Sequence, residues 1–278
     1  MKVPLARLAR LVAWLVVAAR PACALADDRA ERLVAEAVAA YRAAMEAPSE
    51  ERRLEGFSRA HRLFAQAIEA RQIHNADLQT NLGNAALQAR RLGPAILAYR
   101  RALAIEPGHA RAARNLTHAR TLLPNWVPVP EQDTLVDTFL FWTRLLSVPA
   151  QTVVASAFFA LGAALLAVAI RWKRRWARNL AIVPLVIWAV MTASALWHGA
   201  HGNAGDVVVT ADEATGYCAD SAGSPPRFGR PLPGGTEARL IAQRGGWAHV
   251  RLADGQDAWL RRAVLQPVRP EDLSPSPG

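Results

Sequence analysis

Cysteine and histidine have the most direct capacity for chemistry in this chain, and their spacing decides what they can do. The chain has two cysteines, Cys23 and Cys218, and a cysteine without matched His and Asn partners is more often a small apolar residue than a nucleophile. His198 and His201 lie three residues apart, but a zinc site needs at least a third protein ligand. A helix that ends at a membrane interface explains these histidines better. We therefore predict no catalytic, cofactor or metal site and no enzymatic activity.

Positive charge is the next feature with chemical meaning, because the chain of 278 residues carries a formal net charge of +10. Such a charge favours a nucleic-acid interpretation if the basic residues form one surface. Here, four basic residues lie within positions 1–26 and five more within 171–178, between two apolar runs. This placement is typical of charges that set membrane topology, so we predict no nucleic-acid partner.

The first 26 residues have the organisation of an export signal. A basic start is followed by an apolar core from Leu11 to Ala19 and by the small-x-small sequence Ala24-Leu25-Ala26, which signal peptidase cleaves. We predict a signal peptide over 1–26. The apolar core is too short to cross about 30 Å of hydrocarbon, and the alternative is an uncleaved anchor.

Two apolar runs, Gln151–Ile170 and Asn179–Trp197, contain 20 and 19 residues without a charged side chain. Each is long enough to span a bilayer, and we assign transmembrane helices to 149–170 and 179–198. Short loops dense in Lys and Arg stay in the cytoplasm, which predicts a cytoplasmic loop at 171–178. The expected location is the bacterial inner membrane, with two spans in the lipid bilayer and both soluble domains in the periplasm.

Between Glu31 and Leu122, apolar residues recur three and four positions apart, which is typical of amphipathic helices. Asn75 is a suitable N-cap, and Pro94 is expected at the first position of the following helix. Within the segment 76–109, small and aromatic residues form a 34-residue pattern: Leu82, Gly83, Ala95, Tyr99, Ala102 and Pro107. This pattern resembles a tetratricopeptide repeat, a helical hairpin that stacks on neighbours of the same kind.

Neighbouring units of this repeat are visible on both sides. Upstream, Ala60, Phe64 and Ala67 have the same spacing as Ala95, Tyr99 and Ala102, and downstream Asn115-Leu116 echoes Asn81-Leu82. We predict a tetratricopeptide-like domain over 27–123, closed by a capping helix at 110–122. The alternative is an unrelated small helical bundle.

The tetratricopeptide resemblance implies a peptide-binding groove. In that family the second, fifth, ninth and thirteenth positions of the first helix of each unit face a bound peptide. Carried onto this chain, the groove positions are Asp77, Thr80, Asn84 and Gln88, followed by Arg111, Arg114 and His118 of the capping helix. Paired arginines suit an acidic or C-terminal peptide, with Asn84 fixing its backbone. The alternative is a merely solvated face.

A linker and an interfacial helix are expected over 124–148. Three prolines between Pro124 and Pro130 favour an extended chain. The segment 134–147 is strongly apolar with a helical pattern, which is typical of a helix lying in the membrane interface. The alternative is that it continues the first transmembrane helix.

After the second apolar run, short alternating segments separated by glycine turns predict a small β-barrel over 204–268 and a disordered tail over 269–278. The run from Gly245 to Leu260 resembles the bacterial SH3 domain. Trp247 and Trp259 within it form either a ligand-binding aromatic surface or, as we favour, part of the barrel core. We expect the barrel and the helical repeats to melt separately.

The predicted fold class is therefore a multidomain membrane protein with all-α tetratricopeptide-like repeats, a transmembrane helical hairpin and an all-β SH3-like small barrel. This order of segments resembles the BatE-type proteins of the Bacteroides aerotolerance operon. The resemblance implies a non-enzymatic periplasmic scaffold that is accessory to von Willebrand A domain membrane proteins and a MoxR-type ATPase. The rival hypothesis is a membrane-anchored module that binds peptidoglycan.

Overall fold

The computed structural model of the chain describes residues 28–71, 75–130, 148–173, 175–201 and 205–269. The predicted signal peptide, the predicted interfacial helix at 134–147 and nearly all of the predicted tail lie outside these ranges.

Five helices form the first part of the chain, here called the helical domain: α1 (28–46), α2 (Glu50–Arg71), α3 (Ala76–Gln88), α4 (Leu92–Ile105) and α5 (Ala110–Thr121). Asn75 caps α3 as predicted, since its side-chain oxygen accepts a hydrogen bond from the backbone N–H of Leu78 at 2.9 Å. Helix α4 begins at Leu92, so Pro94 occupies its third position and not the first. Proline is tolerated there because the first N–H groups of a helix have no partner within it.

Small residues allow these helices to approach closely. A Cβ atom on Gly83 of α3 would lie 2.5 Å from the ring of Tyr99, and one on Gly56 of α2 would lie 2.7 Å from the side chain of Ala44. Tyr99 is fully buried, as is Ala95 one turn before it. The pairs α1–α2 and α3–α4 therefore pack across contacts in which a larger side chain would not fit.

Two further helices, α6 (Val148–Trp172) and α7 (Arg175–His201), pack against each other. Among the described residues, the stretches Ala150–Trp172 and Arg175–Ser194 are long and apolar enough to cross a membrane. The amide of Gln151 donates to the carbonyl of Met191 at 2.9 Å, which satisfies a buried polar side chain. The connection between α6 and α7 is much shorter than the eight-residue loop expected at 171–178. Several basic residues of that expected loop belong to the ends of the two helices.

A small antiparallel sheet follows, as the alternating pattern predicts. Its strands are β1 (Asp206–Val209), β2 (Glu213–Ala214), β3 (Leu232–Pro233), β4 (Glu237–Arg244), β5 (Trp247–Leu252), β6 (Asp257–Arg261) and β7 (Leu265–Pro267). The main sheet has the order β6-β5-β4-β1-β7, and β2 pairs with β3 alone. Together these strands are called the sheet domain, and its core includes Val207, Val250 and Leu260.

The helical and sheet domains share a second apolar core. Val208 of β1 points away from the sheet's own core and packs with Ile96 of α4 and Leu123, and Val268 joins the same cluster. The approach is close, because a Cβ atom on Gly93 would lie 2.6 Å from the carbonyl oxygen of Val209. A contact of this kind couples the stability of the two domains.

Buried charges reinforce this contact. Glu237 of β4 accepts hydrogen bonds from Arg120 and forms an ion pair with Arg100, and Arg100 also pairs with Asp206. The carboxylate side chain of Glu237 is only 5% exposed. We expected the two domains to melt separately, and this shared core argues against that expectation. The residues that form the core are distant in sequence, so no local pattern indicated it.

Candidate functional site

Helices α3 and α5 present a common polar face. On α3 this face consists of Asp77, Asn81, Asn84 and Gln88, which recur at four-, three- and four-residue intervals and so lie along one side of a helix. On α5 the corresponding residues are Arg111, Asn115 and His118. Hydrogen bonds link the two helices across this face.

Asn84 is the centre of the face. Its Oδ1 accepts one hydrogen bond from the Tyr99 hydroxyl at 2.9 Å and a second from Nδ2 of Asn115 at 2.7 Å. Both lone pairs of that oxygen are therefore in use, which fixes the orientation of the amide. The Nδ2 group of Asn84 then points away from these two partners, with donors that suit a carbonyl or carboxylate oxygen.

A cavity of about 440 Å³ opens beside Asn84, between α1, α2 and α3. Its apolar wall consists of Val38, Tyr41, Met45 and Phe64, and its polar wall includes Asn81 and Asn84. Met45 is 61% exposed at the rim. Apolar walls with a few fixed polar groups are typical of binding pockets, so the cavity has the shape and chemistry to take an apolar side chain whose main chain meets the asparagines.

The N-terminal ends of α3 and α5 meet in a charged cluster. Asp77 accepts hydrogen bonds from Nη2 of Arg111 at 2.6 Å and from Nε2 of His109 at 3.1 Å. Nδ1 of His109 accepts from the backbone N–H of Ala112, which caps α5 and leaves the ring proton on Nε2. The hydrogen bond from His109 is the main reason that the pKa of Asp77 is lowered, and the charge of Arg111 lowers it further.

The structure separates the predicted groove residues into four groups. Asp77 and Arg111 bind each other, so the carboxylate already occupies one of the two arginines expected to hold a peptide. Asn84 lies at the cavity, whereas Gln88, Arg114 and His118 are exposed. Thr80 is a correction, because it is fully buried and its hydroxyl donates to the carbonyl of Ala76 at 2.7 Å. It is not accessible to a ligand.

Three polar residues of the site were not predicted, namely Asn81, Asn115 and His109, and neither was the apolar wall of the cavity. The signal for two of them is present in the sequence, because Asn115 follows Asn81 by the 34 residues of the repeat. Two asparagines at equivalent positions of successive units indicate a repeated polar role on the same face. The role of His109 as a helix cap has no comparable signal.

Trp247 and Trp259 lie on the face of the sheet opposite its core cluster, where Trp247 is buried, as preferred, and Trp259 is half-buried. Along β5, Ala248, Val250 and Leu252 point into the core, and the alternation of a strand places Trp247 on the opposite face. Trp247 is 9% exposed, but Tyr217 and Arg261 contribute to its burial, not the core cluster.

Stacked rings and guanidinium groups organise this outer face. Arg261 lies over the ring of Trp247 at 4.2 Å, and Arg244 lies over Trp259 at 5.6 Å, as in cation–π pairs. His249 stacks on Trp259 with centroids 4.7 Å apart and binds Asp257 at 2.8 Å. That hydrogen bond lowers the pKa of Asp257.

Among the described residues, no group of three or more His, Cys, Asp or Glu side chains is arranged to hold a metal ion. Cys218 is an exposed free thiol. No family model matches this chain, and neither does any curated protein or solved structure.

Proposed function

We propose that the chain is a non-enzymatic scaffold that α6 and α7 anchor in the bacterial inner membrane. Its helical domain binds a peptide segment of a protein partner. The observation that carries this proposal is the fixed amide of Asn84 at the mouth of an apolar cavity. Close packing at Gly83 and Tyr99 and the 34-residue spacing support a tetratricopeptide-like domain. The strand order supports an SH3-like sheet domain that serves as a second contact surface.

The proposed ligand is an extended, acidic or C-terminal segment of a membrane partner. An apolar side chain enters the cavity beside Met45 and Phe64, and a main-chain carbonyl or a carboxylate accepts from Asn84. Arg114 is exposed on α5 and supplies positive charge at the far side of the face. Arg111 joins it only to the extent that a ligand carboxylate replaces Asp77.

The order of segments along the chain supports a proposal for the partners of this protein. Helical repeats, two spans and a terminal small barrel resemble the BatE-type proteins, which implies a partner with a von Willebrand A domain and a MoxR-type ATPase nearby. The basic residues of 171–178 favour a cytoplasmic connection between the spans. The helical domain and the sheet domain then both lie in the periplasm.

The test is photo-crosslinking in cells from a benzoylphenylalanine at Met45, with the crosslinked peptide identified by mass spectrometry. In a second chain, Asn84→Asp keeps an acceptor for Tyr99 and Asn115 but removes the two donors, so we expect it to fold and to lose the crosslink. Gln66→Glu adds the same charge at an exposed position of α2 outside the cavity lining and is expected to retain it.

Equal crosslinking by the wild type and by Asn84→Asp would contradict the proposed site. The crosslinked peptide that disappears in the Asn84→Asp chain also identifies the partner. If that partner lacks a von Willebrand A domain, the result supports the scaffold function but rejects the proposed family. A reporter at exposed Arg59 on α2, outside the cavity, controls for non-specific capture.

A further inference from the structure

The sheet domain is tied closely to the end of the second spanning helix. Helix α7 ends at His201 and β1 begins at Asp206, and an extended chain covers at most about 3.6 Å per residue. The start of β1 therefore lies within about 18 Å of the helix end. With 27 residues, α7 is about 40 Å long, which exceeds the hydrocarbon thickness of about 30 Å. If α7 spans the membrane, as the proposed function requires, β1 starts near the lipid headgroups.

The direction of the strands decides which end of the sheet lies at the membrane. The chain enters β1 at Asp206, and β4 is antiparallel to β1, with Asp206 opposite Arg239. Residues 240–244 of β4 therefore continue past the start of β1, toward the side from which the chain arrives. The turn at Gly245 and Gly246 is the end of the sheet on that side, whereas the β5–β6 turn at 253–256 is at the opposite end.

The exposed or half-buried residues at this end form a surface that we call the sheet tip, namely Ile241, Arg244, Trp259 and Arg261, and the buried ring of Trp247 lies beneath Arg261. Ile241 is an exposed aliphatic side chain at the irregularity in β4. The side chain of Arg244 is 72% exposed, and its nearest carboxylate oxygen, on Asp220, is 3.7 Å away. Each guanidinium lies over an indole ring, which holds the arginines on the outer face.

We infer that the sheet tip contacts the surface of the membrane that α6 and α7 span, with Arg244 and Arg261 binding the phosphate groups of anionic phospholipids. Guanidinium groups bind phosphate through paired hydrogen bonds, and an indole ring such as that of half-buried Trp259 favours the boundary between headgroups and hydrocarbon. Ile241 enters the same boundary. The contact orients the sheet domain, and the helical domain that is packed on it, relative to the membrane.

The experiment uses the full chain, with Cys23→Ser and Cys218→Ser, in nanodiscs of phosphatidylcholine with or without phosphatidylglycerol. Nitroxide labels are placed one at a time through Ile241→Cys, Ala253→Cys at the opposite end of the sheet, and Leu161→Cys within α6. Their accessibility to oxygen and to a water-soluble nickel complex is measured by electron paramagnetic resonance. We expect the Leu161 and Ile241 labels to be shielded from nickel, and the Ala253 label to be fully accessible.

A shielded Leu161 label with an Ile241 label as accessible as that at Ala253 would overturn the inference and leave membrane anchorage intact. A nickel-accessible Leu161 label would overturn the anchorage itself. Replacing Arg244→Gln and Arg261→Gln together is expected to abolish the shielding of Ile241 that phosphatidylglycerol produces, and unchanged shielding would overturn the role of the arginines. Shielding of Ile241 in detergent by soluble peptidoglycan fragments would overturn the membrane as the occupant in favour of the cell wall.

Discussion

The guanidinium of Arg120 in α5 donates two hydrogen bonds to the carboxylate of Glu237 in β4, with N–O distances of 2.7 and 2.9 Å. The two residues are 117 positions apart, and the hairpin of α6 and α7 lies between them in the sequence. Both side chains are at least 90% covered. The helical and sheet domains are thus joined by an ion pair that is shielded from water.

Glu237→Gln is expected to destabilise both domains together. The change leaves Arg100 and Arg120 without their shared counter-charge, and removing one partner of a buried ion pair costs about 3 to 5 kcal/mol. Hydrogen exchange read by mass spectrometry follows peptides of the helical domain and peptides of the sheet domain separately during unfolding in detergent. Both midpoints should fall by the same amount, whereas exposed Glu213→Gln should change them little. A loss confined to the sheet signal would show that the domains are independent.

Gly93→Ala tests how closely the domains approach. In an isolated helix this change stabilises by about 0.5 to 1 kcal/mol. Here the added Cβ would lie 2.6 Å from the carbonyl oxygen of Val209, and overpacking of this kind costs about 1 to 3 kcal/mol. We expect a net loss in chemical unfolding. Gly229→Ala is the control because nothing lies within 4 Å of its added Cβ. A stabilised Gly93→Ala chain would contradict the close contact.

Acid is expected to weaken the helical domain through His61. Burial, with smaller effects of Arg91 and Arg62, lowers the pKa of His61 to about 4. Since the folded state favours the neutral ring, this contribution to stability is complete above the unfolded pKa of 6.5 and is lost as pH falls toward 4. His61→Gln should lose less stability between pH 7 and 5 than the wild type, and Arg91→Gln should fall between them. Equal losses in all three chains would exclude His61 as the cause.

Cys218 provides a natural reporter of topology. It is exposed in the sheet domain, so in a Cys23→Ser chain we expect an impermeant maleimide to label it in intact spheroplasts. In the same Cys23→Ser chain, Cys218→Ser combined with Lys173→Cys places the only thiol between the spans, and that chain should react only after the membrane is opened. Protection of Cys218 in intact spheroplasts would reverse the proposed orientation.

Local patterns predicted the elements better than they predicted the contacts between them. Asn75 was expected to cap a helix and does, because a cap depends on neighbours within three residues. Thr80 was placed in the groove from its position in the repeat. Its hydroxyl donates a hydrogen bond to the Ala76 carbonyl, which allows the side chain to be completely buried. The placement of Trp247 was predictable in principle, because Val250 and Leu252 already identify the core face of β5.

The contact between the domains had no signal of this local kind. Gly93 has an ordinary explanation as a residue near a helix start, and Arg100 as one of many basic residues of a helix. Their partners, Val209 and Glu237, are more than 100 positions away. A single sequence contains the residues of such a contact but no periodicity that pairs them.

The shared core also sets an order of events during synthesis. The face of α4 that contains Ile96 leaves the ribosome well before Val208 and Val268, which cover it. During that interval the nascent helical domain presents an uncovered apolar surface, with Arg100 and Arg120 lacking their carboxylates. A chaperone that binds apolar segments has access to it only then, and a chain that terminates within the hairpin keeps that surface permanently available to proteases.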